Sequence, residues 1–410
     1  MTPASNTPSD PANFARDHIK IPTDLIPVAG ELPVGHASGP APVLAAEHPS
    51  EATLSQWQLI WLRFRKHGLA LGSLHLLIAL YLVALFAEFF APYSSGHKNA
   101  ELIYCPPQIP AISFAHGLYA REVVRQIDPI TLKNYYVPGE GIIPLGFFVK
   151  GEAYKLWGLI PLDRHFFGPR AGAAGNAAPR YYVLGADKFG RDVFSRLVRG
   201  SRISLSIGIV SIMVTFILGA VIGGISGYVG GPLDNFIQRM IEVISSFPHL
   251  PLWLALATIM PSDWSAIKTY FAITIVLSLL GWTGLARVVR GKILSLREED
   301  YAVAARLLGA SHSRIIFRHL LPGFSSHIIV SLSLSVPGMI LGETALSFLG
   351  LGLRPPVVSW GVMLQDAMKI DVVANYPWLL MPVILIILTV LAFNFFGDGM
   401  RDAADPYASR

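Results

Sequence analysis

The sequence has little charge and almost no cysteine. Charged residues make up 14% of the 410 residues and hydrophobic residues 52%, whereas about a quarter of the residues in soluble domains are charged. This balance excludes an ordinary soluble protein and predicts a polytopic membrane protein. Cys105 is the single cysteine, which excludes a disulfide within the chain.

Motifs of catalysis and metal binding are also absent. The sequence has no GxxxxGK[ST] phosphate loop, no HExxH, GxSxG or GxGxxG pattern, and no Cys/His cluster with metal-ligand spacing. We therefore expect no catalytic residues, cofactor or metal here, and any energy source on another chain. The net charge of +5 is explained by the Lys/Arg excess of cytoplasmic loops, so no nucleic-acid partner is expected.

Long apolar runs predict an all-α fold with six transmembrane helices. The first run, 69–90, is long enough to cross a hydrocarbon core of about 30 Å at about 1.5 Å per residue. Basic residues directly precede it, so the positive-inside rule places the N-terminus in the cytoplasm, and six crossings place the C-terminus there too. The other runs lie at 203–229, 243–260, 269–286, 324–345 and 376–396.

The runs divide the chain into five predicted parts. Residues 1–55 form a disordered cytoplasmic tail without a cleavable signal peptide, and 56–91 form an interfacial segment and the first transmembrane helix. Residues 92–200 form an extracytoplasmic insert ending in an amphipathic helix. A five-helix core at 201–400, with a cytoplasmic loop at 287–322, precedes the cytoplasmic C-terminus at 401–410.

The insert contains a segment dense in aromatic residues, 147–168. This density favours a small folded cap with its own core. The alternative is a docking surface for an external partner or substrate.

A polar stretch at 299–322, EDYAVAARLLGASHSRIIFRHLLP, lies between two apolar runs. Gly309 is expected to end a first short helix, Ser311 or Ser313 to cap a second, and Pro322 to end that one. Three- and four-residue intervals give the first helix an apolar face, formed by Tyr301, Ala304, Ala305 and Leu308. Such a helix is typical of a segment that docks into a groove on another protein; the alternative is a plain connector.

Two features of the predicted spans point to packing and transport. Gly219, Gly223 and Gly227 recur at every fourth position and predict a face for close helix packing, with a neighbour in this chain or in a partner. Glu343 and Ser347 are candidates for a translocation path or gate, because carboxylates are costly in hydrocarbon. Pairing between helices or an interfacial position is the alternative for Glu343.

The stretch at 299–322 resembles the coupling loop of binding-protein-dependent ABC importers. That pattern is EAA, three residues, Gly, nine residues and I-x-L-P. The chain departs from it twice, with Val303 at the Glu position and His319 at the Ile position. The residues at the matching positions are Val303, Ala304, Ala305, Gly309, His319, Leu320, Leu321 and Pro322.

The resemblance extends to the dipeptide and oligopeptide C-type permeases over nearly all of 183–406. Further matching segments are LGADKFGRDVFSRLVRGSRISLSIG at 184–208, GPLDNFIQRMIEVISSFP at 231–248, ETALSFLGLGLRPPVVSWG at 343–361 and FGDGMRDAADP at 396–406. The insert at 95–180 is longer than in plain dipeptide permeases and resembles the extended members.

The resemblance implies a type I ABC importer permease of the bacterial inner membrane. It implies a homologous permease partner, two ATP-binding subunits at the coupling loop, and an extracytoplasmic solute-binding protein that delivers peptides or a related solute. The residues implied in ATPase coupling are Ala304, Ala305, Arg306, Leu308, Gly309, His319 and Pro322.

Three alternatives stand beside this prediction. In the first alternative, the same machinery imports oligosaccharides or another small solute instead of peptides. A self-contained secondary transporter or channel would need a run of intramembrane carboxylates or inverted repeats, and the sequence displays neither. A helix-turn-helix regulator would need a domain free to reach DNA, whereas apolar runs closely bracket the loop.

Overall fold

The computed structural model describes residues 55–130, 134–170, 180–261 and 263–405. The predicted disordered tail at 1–55 lies outside the described residues except for Ser55. The Ser55 hydroxyl accepts a hydrogen bond from the Gln58 backbone, and the Gln58 side chain accepts one from the Ser55 backbone. This reciprocal capping box fixes the start of the first helix.

Helices make up most of the described chain outside the insert. They are α1 (Gln56–Lys66), α2 (Gly68–Leu85), α3 (Ala87–Phe90), α4 (Val193–Val229), α5 (Gly231–Ser246), α6 (His249–Thr258), α7 (Ala266–Leu296), α8 (Asp300–Leu307), α9 (His312–Arg314), α10 (Ser325–Phe348), α11 (Trp360–Gln365), α12 (Ile370–Asn375) and α13 (Met381–Ala404).

Within the described residues, five helical segments are long and apolar enough to cross a membrane. A sixth candidate, predicted as one span at 243–260, corresponds to the pair α5 and α6, which is bent by 85°. The bend falls where Phe247 takes an extended conformation before Pro248, because a proline disfavours the helical conformation of the residue before it. The five segments are Gly68–Leu85, Val193–Val229, Ala266–Leu296, His312–Phe348 and Pro377–Ala404.

Helix α4 begins earlier than predicted. The expected separate amphipathic helix before residue 201 is absent from the described chain; instead α4 runs unbroken for 37 residues from Val193. Asp192 caps it by accepting a hydrogen bond from the Ser195 backbone at 2.8 Å. At about 1.5 Å per residue the helix is about 55 Å long, so it extends well beyond a hydrocarbon core of about 30 Å.

The insert corrects the all-α prediction, because it is a β-sheet. Its strands are antiparallel neighbours in the order β1-β2-β3-β4. Strand β2 begins at Gly117 and the turn before β4 contains Gly158; both have positive φ, a backbone conformation that glycine adopts without steric cost. The strands are β1 (Ala111–Ser113), β2 (Gly117–Ile127), β3 (Asn134–Leu156) and β4 (Ile160–Pro169).

The sheet has a small apolar core of its own. Ala120 on β2 packs with Ile143 and Leu145 on β3 and with Tyr181, all of them buried. The insert is therefore a folded cap, which is the structural option that the sequence favours.

The predicted glycine face packs against α7 of the same chain. A Cβ atom on Gly219 would lie 2.8 Å from the Leu285 side chain, and one on Gly227 would lie 2.8 Å from the Arg290 carbonyl oxygen. Gly223, between them, faces the backbone of Ala286. The glycines thus let α4 and α7 approach to backbone contact, which answers the open question of the neighbour.

Candidate coupling site

The first helix of the polar stretch ends at the predicted glycine. The Leu308 backbone donates to the Ala304 carbonyl and the Gly309 backbone to the Arg306 carbonyl, each at 3.0 Å. Gly309 has a φ of +81°, a conformation that costs a residue with a Cβ atom about 1–2 kcal/mol. The glycine is therefore needed where the chain changes direction at the end of α8.

The second helix starts as predicted but continues further. The Ser311 hydroxyl accepts a hydrogen bond from the Arg314 backbone at 3.4 Å, so Ser311 provides the cap. The prediction that Pro322 ends the helix is wrong: a π-helical turn, Ile315–Leu320, and a 3₁₀ turn, Leu321–Phe324, lead directly into α10. Pro322 is the second residue of the 3₁₀ turn.

One side of this segment is fastened to the membrane helices. Ala302 on α8 is buried, and the half-buried Ala305 packs against the same cluster. The apolar side chains that form this cluster come from α7, α8, the π-helical turn, the 3₁₀ turn and the start of α10. They are Leu285, Val289, Ile293, Ala302, Ile315, Ile316, Leu320, Phe324 and Ile328.

The other side of α8 is exposed on the surface of the chain. Leu307 is 81% exposed and Leu308 is 87% exposed, although leucine is among the residues most often buried. We call the exposed surface of α8 and its C-terminal turn the coupling face; it consists of Tyr301, Ala304, Arg306, Leu307, Leu308 and Gly309.

The structure sorts the residues implied in coupling. Ala304, Arg306, Leu308 and Gly309 lie on the coupling face, whereas Ala305 faces the chain's own core. The sequence prediction did not include Leu307. The two adjacent leucines before Gly309 were a usable signal, because neighbouring positions of a helix point in different directions and two such side chains do not share one face. Two more implied residues lie off α8, namely the half-buried His319 and the exposed Pro322.

A polar cluster joins α4, α5 and α7 where α4 ends. Arg290 on α7 forms a two-pronged ion pair with Asp234 on α5, with both nitrogen–oxygen distances 2.5 Å. The Ser226 hydroxyl of α4 donates to the same carboxylate. Arg297, which follows α7, donates from Nη1 to the Gly227 carbonyl oxygen at 3.1 Å. Charged side chains thus hold together the helices that carry α8.

Glu343 and Ser347 lie in a closed cluster inside the chain. Glu343 accepts hydrogen bonds from the hydroxyls of Ser347 at 2.8 Å, Ser359 at 2.7 Å and Ser204 at 3.2 Å. All four side chains are buried. Neither candidate path residue reaches the surface of this chain, so the arrangement matches the alternative of pairing between helices.

Comparison with known proteins gives matches along most of the chain. Residues 219–410 match the family model of the binding-protein-dependent transport system inner membrane component, and residues 55–107 match the N-terminal TM domain of oligopeptide transport permease C. The dipeptide transport system permease protein DppC of Bacillus subtilis is 32% identical over 365 residues, which are 89% of this chain and 90% of that protein.

Two further matches are shorter. The oligopeptide transport system permease protein OppC of Haemophilus influenzae is 42% identical over 236 residues, which are 56% of this chain and 73% of that protein. A solved structure of the MetNI methionine ABC transporter in inward-facing conformations matches 51% of this chain and 96% of its own, with 18% identity and a TM-score of 0.41. The β-sheet insert lies between the two family-model matches.

Proposed function

Because the chain belongs to the family of binding-protein-dependent transport system inner membrane components, we propose that it forms half of the translocation path of an ATP-driven importer for peptides. A homologous permease supplies the other half. Two ATP-hydrolysing subunits drive transport from the cytoplasm, one of them at the coupling face, and a solute-binding protein delivers the solute at the outer face of the inner membrane.

The observation that carries the proposal is the contrast between the two sides of α8. One side is buried through Ala302 in the apolar cluster that α8 shares with α7 and the π-helical turn, while Leu307 and Leu308 project outward at 81% and 87% exposure. Burying a leucine side chain fully stabilises by about 1.5–3 kcal/mol. A partner groove that covers both leucines therefore gains substantial binding energy from a helix already held in place.

The anchored side of α8 is the route from the partner to the membrane helices. Ala302 and Ile293 share one buried cluster, and the polar cluster ties α7 to α4 and α5. Displacement of α8 would therefore move these helices as a packed unit. The ATP-hydrolysing subunit must bind one conformation more tightly than the other, since equal affinity would shift nothing.

We infer that both ends of the described chain lie on the cytoplasmic side. Arg63 of α1 donates from Nη1 to the Asp405 carbonyl oxygen at 3.0 Å, and the rings of Phe64 and Phe396 lie 5.7 Å apart. Helix α1 thus packs beside the end of α13, which supports an even number of crossings. The proposal counts the bent pair as one span, which together with the five unbroken candidate spans gives six.

Removal of the exposed leucines tests the coupling face. In the assembled importer we expect Leu307→Ser with Leu308→Ser to reduce co-purification of the ATP-hydrolysing subunits and to abolish ATP-driven uptake. The matched control is Ile370→Ser, on a residue that is 87% exposed on α12. Unchanged co-purification and uptake in the double variant would refute this docking assignment.

The solute class follows from the relatives and has its own test. The similar proteins from Bacillus subtilis and Haemophilus influenzae are named as dipeptide and oligopeptide permeases. With its own binding protein, the reconstituted importer is expected to take up labelled peptides in preference to labelled oligosaccharides. Preferential oligosaccharide uptake would keep the importer proposal and overturn the peptide assignment.

A further inference from the structure

The hairpin formed by β3 and β4 reaches back to the point where α2 ends. Trp157, in the turn between the two strands, donates from Nε1 to the Leu85 carbonyl oxygen at 2.8 Å. Its ring centre lies 5.6 Å from that of Phe86. The tip of the hairpin, residues 157–162, is thereby held beside the last residue of the first transmembrane helix.

The hairpin tip is apolar and open to its surroundings. Leu159 is 78% exposed, and Trp157, Ile160 and Leu162 are exposed as well. Nothing in the mini-core of the sheet covers these side chains, because that core lies around Ile143. A water-exposed tip of this composition would be unfavourable, since apolar side chains gain free energy on leaving water.

Aromatic rings extend the same surface along the hairpin. Phe147 and Phe148 on β3 are exposed, and both contact the Phe166 ring on β4, at 5.5 Å and 5.9 Å between ring centres. Phe89 of α3 also contacts Phe148 at 6.0 Å. Ring contacts at Phe86 and at Phe89 thus join the hairpin to the segment that directly follows the first transmembrane helix.

That surface continues into the face that α2 presents to lipid. Of the five candidate spans, α2 is the least enclosed by the chain: 22% of its apolar window is buried, against 33–56% in the others. Leu82 and Leu85, in its last turn, are exposed. A tryptophan at the end of such a helix sits at the level of the lipid headgroups, where its apolar ring and polar N–H are both accommodated.

We propose that the hairpin tip, residues 157–162, inserts into the outer leaflet of the bilayer and anchors the β-sheet insert to the membrane surface. The lipid partner is a phospholipid with a headgroup phosphate. Lys155 and Arg164, at the base of the tip, are exposed and suitably charged to meet that phosphate. The inference rests on the proposed orientation, in which α2 crosses the membrane with its first residue toward the cytoplasm, but not on the solute or on the coupling face.

Site-directed spin labelling measures the depth of the tip directly. The single cysteine, the buried Cys105, is first removed by Cys105→Ala. A nitroxide is then attached to the cysteine introduced by Leu159→Cys. The control is Ile112→Cys on β1, which is 84% exposed and lies at the other edge of the sheet. The full importer is placed in nanodiscs of phosphatidylethanolamine and phosphatidylglycerol.

The expected result is opposite accessibility at the two labels. The label at 159 should collide more often with oxygen, which concentrates in lipid, than with a water-soluble nickel complex, and the label at 112 should show the reverse. A label at 159 that is as accessible to nickel as the one at 112 would place the tip in water and overturn the proposal. Protection of 159 from both reagents would show a protein contact and overturn it equally.

Discussion

Arg290 on α7 donates two parallel hydrogen bonds to Asp234 on α5, from Nε to one carboxylate oxygen and from Nη2 to the other, each 2.5 Å long. Ser226 on α4 donates to the same carboxylate. The paired geometry is specific to the guanidinium group, and such charge-assisted bonds are stronger than neutral ones. The ion pair and the Ser226 hydrogen bond therefore connect three helices, one of which, α7, contributes to the apolar cluster that holds α8.

Arg290→Gln is expected to loosen this junction. It leaves Asp234 largely buried without its guanidinium partner, which costs about 1–3 kcal/mol, so the purified chain should unfold several degrees lower in a thermal scan. The control Arg239→Gln breaks the exposed pair of Arg239 and Glu242 on α5, and exposed pairs contribute about 0–1 kcal/mol. Equal losses in the two variants would contradict a special role for the junction.

Gly223→Ala is expected to separate α4 from α7. The added Cβ atom would lie 2.8 Å from the Ala286 Cα atom, and backbone cannot move aside as a side chain does. We expect a large loss of folded protein, measured as the monodisperse fraction after detergent extraction. Gly284→Ala on α7 is the control, because a Cβ atom there meets nothing within 4 Å; a helical alanine is also favoured by about 0.5–1 kcal/mol. Similar yields of both variants would disprove backbone contact at Gly223.

The sequence was most informative where one local signal is sufficient. Long apolar runs located five helical segments that are long and apolar enough to cross a membrane, since a bilayer demands about 20 apolar residues in succession. Gly309 identified the end of α8, because few residues other than glycine adopt its backbone conformation. The glycine spacing likewise revealed the packing face of α4, but could not name α7 as its neighbour.

The sequence was least informative where distant residues or exposed strands decide the structure. The partners Arg290 and Asp234 are separated by 56 positions, and nothing local pairs them. The sheet was missed because both faces of its strands are largely exposed, as along Gly117–Ile127, so the alternation of apolar and polar residues is weak. Pro248 is a local signal for the bend at Phe247. The prediction did not use that signal, because Pro248 lies within an apolar run.

Asp192 is expected to make stability depend on pH. Complete burial raises the pKa of Asp192 to about 7 from 3.8, against the hydrogen bonds from Ser195 and with a smaller contribution from Asp187. Between these two values the folded chain binds more protons than the unfolded one. The stabilisation is therefore fully present below about pH 4 and is lost as the pH rises through about 7.

The measurement is the unfolding temperature of the purified chain from about pH 5 to about pH 8. Asn caps helices as well as Asp does, so Asp192→Asn should keep the start of α4 and flatten the decline with rising pH. Asp163→Asn, on a half-exposed carboxylate of β4, should leave the decline as it is. A profile for Asp192→Asn that still follows the unaltered chain would assign the pH dependence to another group.

Variants of Glu343 distinguish a structural role from a role in transport. The Glu343 carboxylate accepts hydrogen bonds from Ser204, Ser347 and Ser359 in a buried cluster. Glu343→Gln keeps a carbonyl acceptor and nearly the same volume, so ATP-driven uptake should persist with a modest loss of thermal stability. Glu343→Ala leaves the hydroxyls without their acceptor and opens a cavity, at a cost of about 2–5 kcal/mol, so little folded protein should be recovered. If Glu343 lined the path as a charged gate, Glu343→Gln would instead be well folded and inactive in uptake; that outcome would show that the cluster opens to the path during transport.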